Sequence, residues 1–162
     1  MSAESVNMEG VAGRLAGLGI VLPKPTPPLA SYVPVQCHGD WVQVSGQLPM
    51  VEGRLAHAGR LGHDLSVEDG VAAARACATM VLAQLAAVGP LESFRLIRVG
   101  GFVAATPEFT AHPEVINGAS DLFLEVLGEN GRHARAAVGV SSLPRGAAVE
   151  VEVLAVRVVA AS

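Results

Sequence analysis

Charge is scarce in this chain: only 16% of its 162 residues are Asp, Glu, Lys or Arg, and the formal net charge is −4. No run of lysines or arginines offers a track for a phosphate backbone, so nucleic acid is not the expected partner. There are two cysteines, Cys37 and Cys77, far apart and without the spacing of a metal site or a disulfide framework, and both are expected to be buried thiols. Aromatics make up 4% of the residues, with a single tyrosine, Tyr32, and a single tryptophan, Trp41. No apolar run approaches the roughly 20 residues of a membrane span, and the N-terminus lacks the basic head and long apolar stretch of a signal peptide. These absences point to a soluble, cytoplasmic protein with no membrane partner.

Apolar residues are abundant instead, at 51% of the chain, and the mean hydropathy is +0.44. The length suits one domain. That much apolar surface is more than a monomer of this size readily hides, and the small alanines and valines suit close packing of strand faces, so part of it is expected to form a subunit interface.

Residues Met8 to Leu18 place Val11, Leu15 and Leu18 at helical spacing before a proline-rich connector, Leu22 to Pro28. Residues 1–28 are therefore read as an N-terminal helix and linker, and 29–162 as the main domain. Alternation around Gly39-Asp40 predicts a hairpin ending in Ser45-Gly46-Gln47, with a second turn at Glu52-Gly53. Ser66-Val67-Glu68-Asp69 has the form of a capping box and opens a long alanine-rich helix to about Val88. Phe94 to Ala105 reads as a strand with Gly100-Gly101 as a bulge, and His112 to Leu127 as a second helix stopped by Gly128. Two short strands finish the chain. The expected fold is α+β, a mixed sheet covered on one face by two long helices, with the other face needing a partner.

Arg135 and Glu150 stand fifteen residues apart on those last two strands. Were the strands paired or side by side, a forked cation and a carboxylate would face one cavity, the first suited to a substrate carboxylate and the second to orienting water or moving a proton. Glu150 and Glu152 share one strand face by period-two alternation.

Tyr32, with Ser45-Gly46-Gln47-Leu48-Pro49 starting thirteen residues on, and Ala134-Arg135, Val138, Leu143-Pro144 and Val149-Glu150-Val151-Glu152 near the other end, fall in a characteristic order and spacing. In these motifs, together with Phe102-Val103 and Asn117, the chain resembles the RidA (YjgF-type) family of enamine/imine deaminases, also called L-PSP endoribonucleases. The resemblance spans roughly Leu29 to Val156 and leaves the N-terminal helix outside. It implies a chorismate-mutase-like fold, a homotrimer whose three sheets form a central barrel, and a ligand cleft at each subunit interface. It also implies hydrolysis of 2-imino or 2-enamino acids to 2-keto acids and ammonia, with no metal or organic cofactor.

By the same resemblance Arg135 grips the substrate carboxylate and Glu150 positions the attacking water. Main-chain groups around Ala137 bind the substrate, Tyr32, Ser45 and Gly46 line the cleft from the neighbouring subunit, and Asn117 supports the pocket. The chain departs from the family pattern at Gly139, where many members carry glutamate, at His133, where proline is usual, and at Val33-Pro34, where a polar pair follows the tyrosine. His133 is expected on an exposed loop. These changes place the chain in a divergent branch, and those at Val33-Pro34 and His133 motivate an alternative, a non-catalytic trimeric binder or sensor of a small carboxylate or amino-acid-like ligand; the family's other name adds an endoribonuclease, which the acidic balance disfavours.

Overall fold

Gly39 supplies the positive φ, 57°, that a two-residue hairpin needs, and around it β1 (Val35–His38) and β2 (Trp41–Gln47) pair antiparallel with His38 opposite Trp41. These elements come from a computed structural model that describes residues 10–25 and 30–159. The expected turn at Glu52-Gly53, with φ of 49° and 75°, joins a small ribbon of β3 (Met50–Val51) and β4 (Arg54–Leu55). The N-terminal helix is α1 (Val11–Gly17), and part of the proline-rich connector, residues 26–28, lies outside the described residues.

Ser66 and Asp69 form the expected capping box and start α2 (Val67–Ala86). Then come β5 (Phe94–Ala104), α3 (His112–Leu127), β6 (Ala134–Val140) and β7 (Val149–Arg157). The sheet runs β1-β2-β7-β5-β6, antiparallel except for the β5 and β6 pair, whose crossover is α3. The mixed α+β architecture is the one expected. The last two strands are not neighbours, however: β5 lies between them.

Alternation divides the sheet. Val42, Val44, Val99, Val103, Val149, Val151 and Val153 are fully buried beneath α2 and α3, against Ala74, Ala78, Leu82, Ile116 and Phe123. Trp41 on β2 and Val138 on β6 occupy the opposite face, 51% and 46% exposed, together with Phe102, Glu150 and Glu152. Helix α1 packs on α3: Val11 joins the core cluster, and Arg14 Nη1 donates to the carbonyl of Val126 at 3.2 Å. Among the described residues, no helix is long and apolar enough to cross a membrane.

Two glycine positions were expected to serve another purpose. Gly100 and Gly101 sit in regular register, and the irregularity in β5 falls three residues before Gly100, at Ile97 between the Leu96 and Arg98 pairings. A Cβ at Gly100 would meet the Glu152 side chain and one at Gly101 would meet Ile116, so these glycines admit close approach on both sheet faces rather than a bulge. Cys77 is buried as expected, its thiol pushed to high pKa by burial, but Cys37 is exposed on the edge strand β1.

The helices touch through glycine. A Cβ at Gly118 of α3 would lie on the Val71 carbonyl oxygen of α2, and one at Gly70 would meet Val115 at 2.9 Å. Backbone cannot yield as a flexible side-chain tip can, so Gly118→Ala should force the helices apart. The expected cost is about 1–3 kcal/mol, read as a lower midpoint of guanidinium denaturation. An unchanged midpoint would mean that this contact does not constrain the packing.

Candidate functional site

Arg135 lies on β6 opposite Val99, on the helix-covered side of the sheet, and its guanidinium meets the first turns of α3. Nη1 donates to Asn117 Oδ1 at 2.9 Å and to Ser120 Oγ at 3.1 Å, while Nη2 donates to the Pro113 carbonyl at 3.3 Å. All three acceptors are neutral, and no carboxylate pairs with this arginine among the described residues. The group is thus oriented without being neutralised. Five donors less three bonds leaves Nε–H and one Nη2 hydrogen for a planar anion.

Ser120 is held from behind. His133 Nδ1 donates to the Gly131 carbonyl at 2.6 Å, so in the neutral ring Nε2 accepts from the Ser120 hydroxyl at 2.8 Å, and Ser120 keeps a lone pair for Arg135. His133 is half-buried and packs edge-on against Phe123 with centroids 6.0 Å apart, not on the exposed loop expected of it. Burial holds its pKa below the ordinary imidazole value; the Gly131 carbonyl opposes this, and the nearby Arg135 charge adds to it.

Below the usual imidazole pKa the unfolded chain binds the proton and the folded chain does not, so stability should fall as pH drops through that range. The expected result is a lower denaturation midpoint at pH 5.5 than at pH 7.5, with the difference reduced in His133→Gln. A variant that kept the full difference would place the titrating group elsewhere.

Glu150 belongs to the other face. It stands opposite Phe102 on β7, and its carboxyl lies against the backbone of Gly46, where a Cβ would collide with Oε1. Gly46 can take this position because β2 bulges at Ser45-Gly46, the two residues between the Val44 and Gln47 pairings with β7. Ser45 Oγ donates to the Val33 carbonyl at 2.7 Å and its amide to the Pro34 carbonyl at 2.9 Å, tying Tyr32, itself 55% exposed, close to the same end of β2. Glu150 is partly buried and has no hydrogen-bond or ionic partner among the described residues, whereas Glu152 pairs with Arg98 at 3.3 Å. Burial raises the Glu150 pKa, and the neighbouring Glu152 charge raises it further.

The candidate residues therefore fall into two groups in one subunit. Arg135, Asn117 and Ala137, whose side chain packs against the core from the edge strand β6, form one; Tyr32, Ser45, Gly46 and Glu150 form the other. With β5 intervening and the two side chains on opposite faces, Arg135 and Glu150 do not meet in one cavity of one chain. Ser120 and the Pro113 carbonyl were not anticipated from the sequence. A serine three residues after Asn117, on an otherwise apolar helix face, is the signal by which the first could have been found.

Residues 12–156 match a family model described as "YjgF/chorismate_mutase-like, putative endoribonuclease", a match that takes in most of α1, which the motif resemblance left outside. Protein TCP17 of Trypanosoma cruzi is 50% identical over 147 residues, covering 89% of this chain and 92% of the relative. The crystal structure of Atu1372 from Agrobacterium tumefaciens, a protein of unknown function, superposes with a TM-score of 0.84 at 46% identity, covering 91% of this chain and 94% of that one. E. coli TdcF, solved with bound serine, superposes at 0.60 with 22% identity, covering 86% and 97%, and shares the fold.

Proposed function

The chain belongs to the YjgF/chorismate-mutase-like family, and on that premise we propose that it is a hydrolytic deaminase of reactive 2-imino and 2-enamino acids. The observation that carries the reading is the Arg135 guanidinium, oriented by three neutral oxygens and left with full charge and free donors. A 2-imino acid offers a planar carboxylate to that fork. The bound serine of TdcF, a small molecule carrying the same carboxylate, supports the choice of ligand class.

The chemistry then needs only position and one proton carrier. Water's oxygen bonds to the imine carbon as the C=N π pair moves to nitrogen, and Glu150, raised in pKa and otherwise unpaired, takes the water proton and returns it to nitrogen. A 2-enamino acid enters as its imine tautomer; in the resulting carbinolamine the hydroxyl proton passes to nitrogen, the oxygen pair forms C=O, and the C–N pair leaves on nitrogen, releasing ammonia and the 2-keto acid. Main-chain groups near Ala137 hold the substrate beside Arg135, while Tyr32, Ser45 and Gly46 form the wall around the water.

Because the two groups lie apart in one chain, a complete site joins Arg135, Asn117 and Ala137 of one subunit to Tyr32, Ser45, Gly46 and Glu150 of the next. A homotrimer with its sheets facing a common axis supplies that junction three times, and the exposure of Trp41 and Val138 on the open sheet face is in keeping with it.

The deciding experiment couples an amino-acid oxidase to the purified protein and follows loss of the transient imine over several side chains. Accelerated loss establishes the deaminase. Saturable carboxylate binding without turnover of any imine would favour the sensor reading, which the departures at Val33-Pro34 and His133 motivate. RNA cleavage that disappeared with Arg135→Ala would instead restore the endoribonuclease of the family description.

A further inference from the structure

A second arginine, Arg60, borders a cavity without an ion-pair partner among the described residues, although Asp64 also lines the larger of the two cavities it borders. The segment around Arg60 is stitched to the ends of β5 and β7: the Gly59 amide donates to the Gly146 carbonyl at 3.0 Å, Leu61 to Ala104 at 2.9 Å, and Thr106 returns a bond to Leu61 at 3.0 Å. Arg60 itself is fixed at both ends of its peptide unit. Its amide donates to Asp64 Oδ2 at 2.9 Å, and its carbonyl accepts from the amides of His63, Asp64 and Leu65.

The side chain so anchored borders two adjoining cavities of about 330 and 510 Å³, which also share Ser141. Nη2 reaches the Ala105 carbonyl only at 3.4 Å, and Nε is buried with no acceptor among the described residues. A buried N–H without an acceptor is rare in folded proteins and calls for one. The smaller cavity is lined by Arg60, Thr106, Phe109, His112, Gly139 and Ser141 among others, with no Asp or Glu. Its polar side chains thus belong to a cation, two hydroxyl-bearing residues and an imidazole, set among apolar ones.

This pocket also accounts for Gly139. The His112 ring, set edge-on to Phe109 at 5.4 Å, lies where a Cβ of residue 139 would be, so any side chain there would displace the imidazole from the pocket. Gly139 lies four positions from Arg135, about 13 Å along β6 at the usual rise, and although it is two positions from Ala137 and His112 precedes Pro113, neither Arg135 nor Ala137 lines this pocket, which flanks the Arg135 group.

We propose that the Arg60 pocket is a second binding site, for a small oxyanion-bearing molecule held by the Arg60 guanidinium, the Thr106 and Ser141 hydroxyls and His112. Carboxylates and phosphates share this chemistry, and its volume suits a compact ligand.

The Arg60 Nε–H reports on the surroundings of the guanidinium. Its ¹⁵N–¹H resonance is followed in the Arg135→Ala protein, which removes the other arginine from consideration and makes the result independent of deamination, during separate titrations with succinate and inorganic phosphate. The expected result is a saturable shift of Nε–H together with the Leu61 and Thr106 amides. Saturation by succinate assigns the pocket to carboxylates and saturation by phosphate alone to phosphates. Arg60→Gln should weaken the response of the Thr106 amide at least about tenfold. No saturable shift with either anion, the same shift with sodium chloride at equal ionic strength, or a Thr106 response unchanged in Arg60→Gln overturns the proposal. Because the first readout uses native Arg60, a poorly folded variant would not shield it.

Discussion

Arg135→Ala should lower kcat/KM for imine hydrolysis by about a hundredfold or more. The estimate rests on two charge-assisted hydrogen bonds from the free Nε and Nη2 donors to a substrate carboxylate, each worth about 1.5–3 kcal/mol. Arg135→Lys keeps the charge but not the fork, so it should recover only part of the loss. The fold should tolerate both changes, because Asn117 is exposed and can turn to water, and Ser120 keeps its bond to His133. Kinetics on short 2-imino acids with a parallel thermal melt separate the two effects. Full activity in a folded Arg135→Ala protein would remove the clamp from the mechanism, and with it the main support for the deaminase reading.

Much of the framework that places Arg135 was legible in the sequence because it depends on local rules. The Ser66-Asp69 box, the Gly39-Asp40 turn, the Gly128 stop and the alternation of Val149 to Val153 each act within a few residues. What alternation cannot give is strand order, a long-range choice: nothing near residues 134–153 says that β5 will come between β6 and β7, so the shared cavity for Arg135 and Glu150 did not survive. Glycine was ambiguous in the same way. Gly100-Gly101 reads equally as a bulge or as a close contact, and only Glu152 and Ile116, one on each face, decide between them. The support behind Arg135 was hidden for a further reason. Ser120 and His133 are polar residues of no distinctive motif, and their roles exist only once α3 has crossed over to β6. Arg60 needed still more, since its position depends on three separate segments closing around it.

Glu150→Gln should reduce kcat by about 10²–10⁴, the range for losing a general base, while leaving the fold as stable as before or more so. The two halves of this prediction have one cause. Burial raises the Glu150 pKa in the folded chain, so between the ordinary carboxylate value and the raised one the folded state binds more protons than the unfolded state. Stability from this group is therefore present at acid pH and lost as pH rises through that window, which makes the ionised carboxylate a burden at neutral pH. Glutamine keeps the shape against Gly46 and removes the burden, so its melting temperature at pH 7.5 should equal or exceed that of the parent protein. A large loss of stability would mean that the carboxylate serves the fold. The same variant tests whether the site is shared between subunits. If each site takes Arg135 from one chain and Glu150 from its neighbour, unfolding and refolding Arg135→Ala and Glu150→Gln together in equal amounts should restore about a quarter of the parent activity, because about one junction in four then brings both intact residues together. Mixed trimers no more active than either variant alone would place both residues in the same subunit's site, or in none.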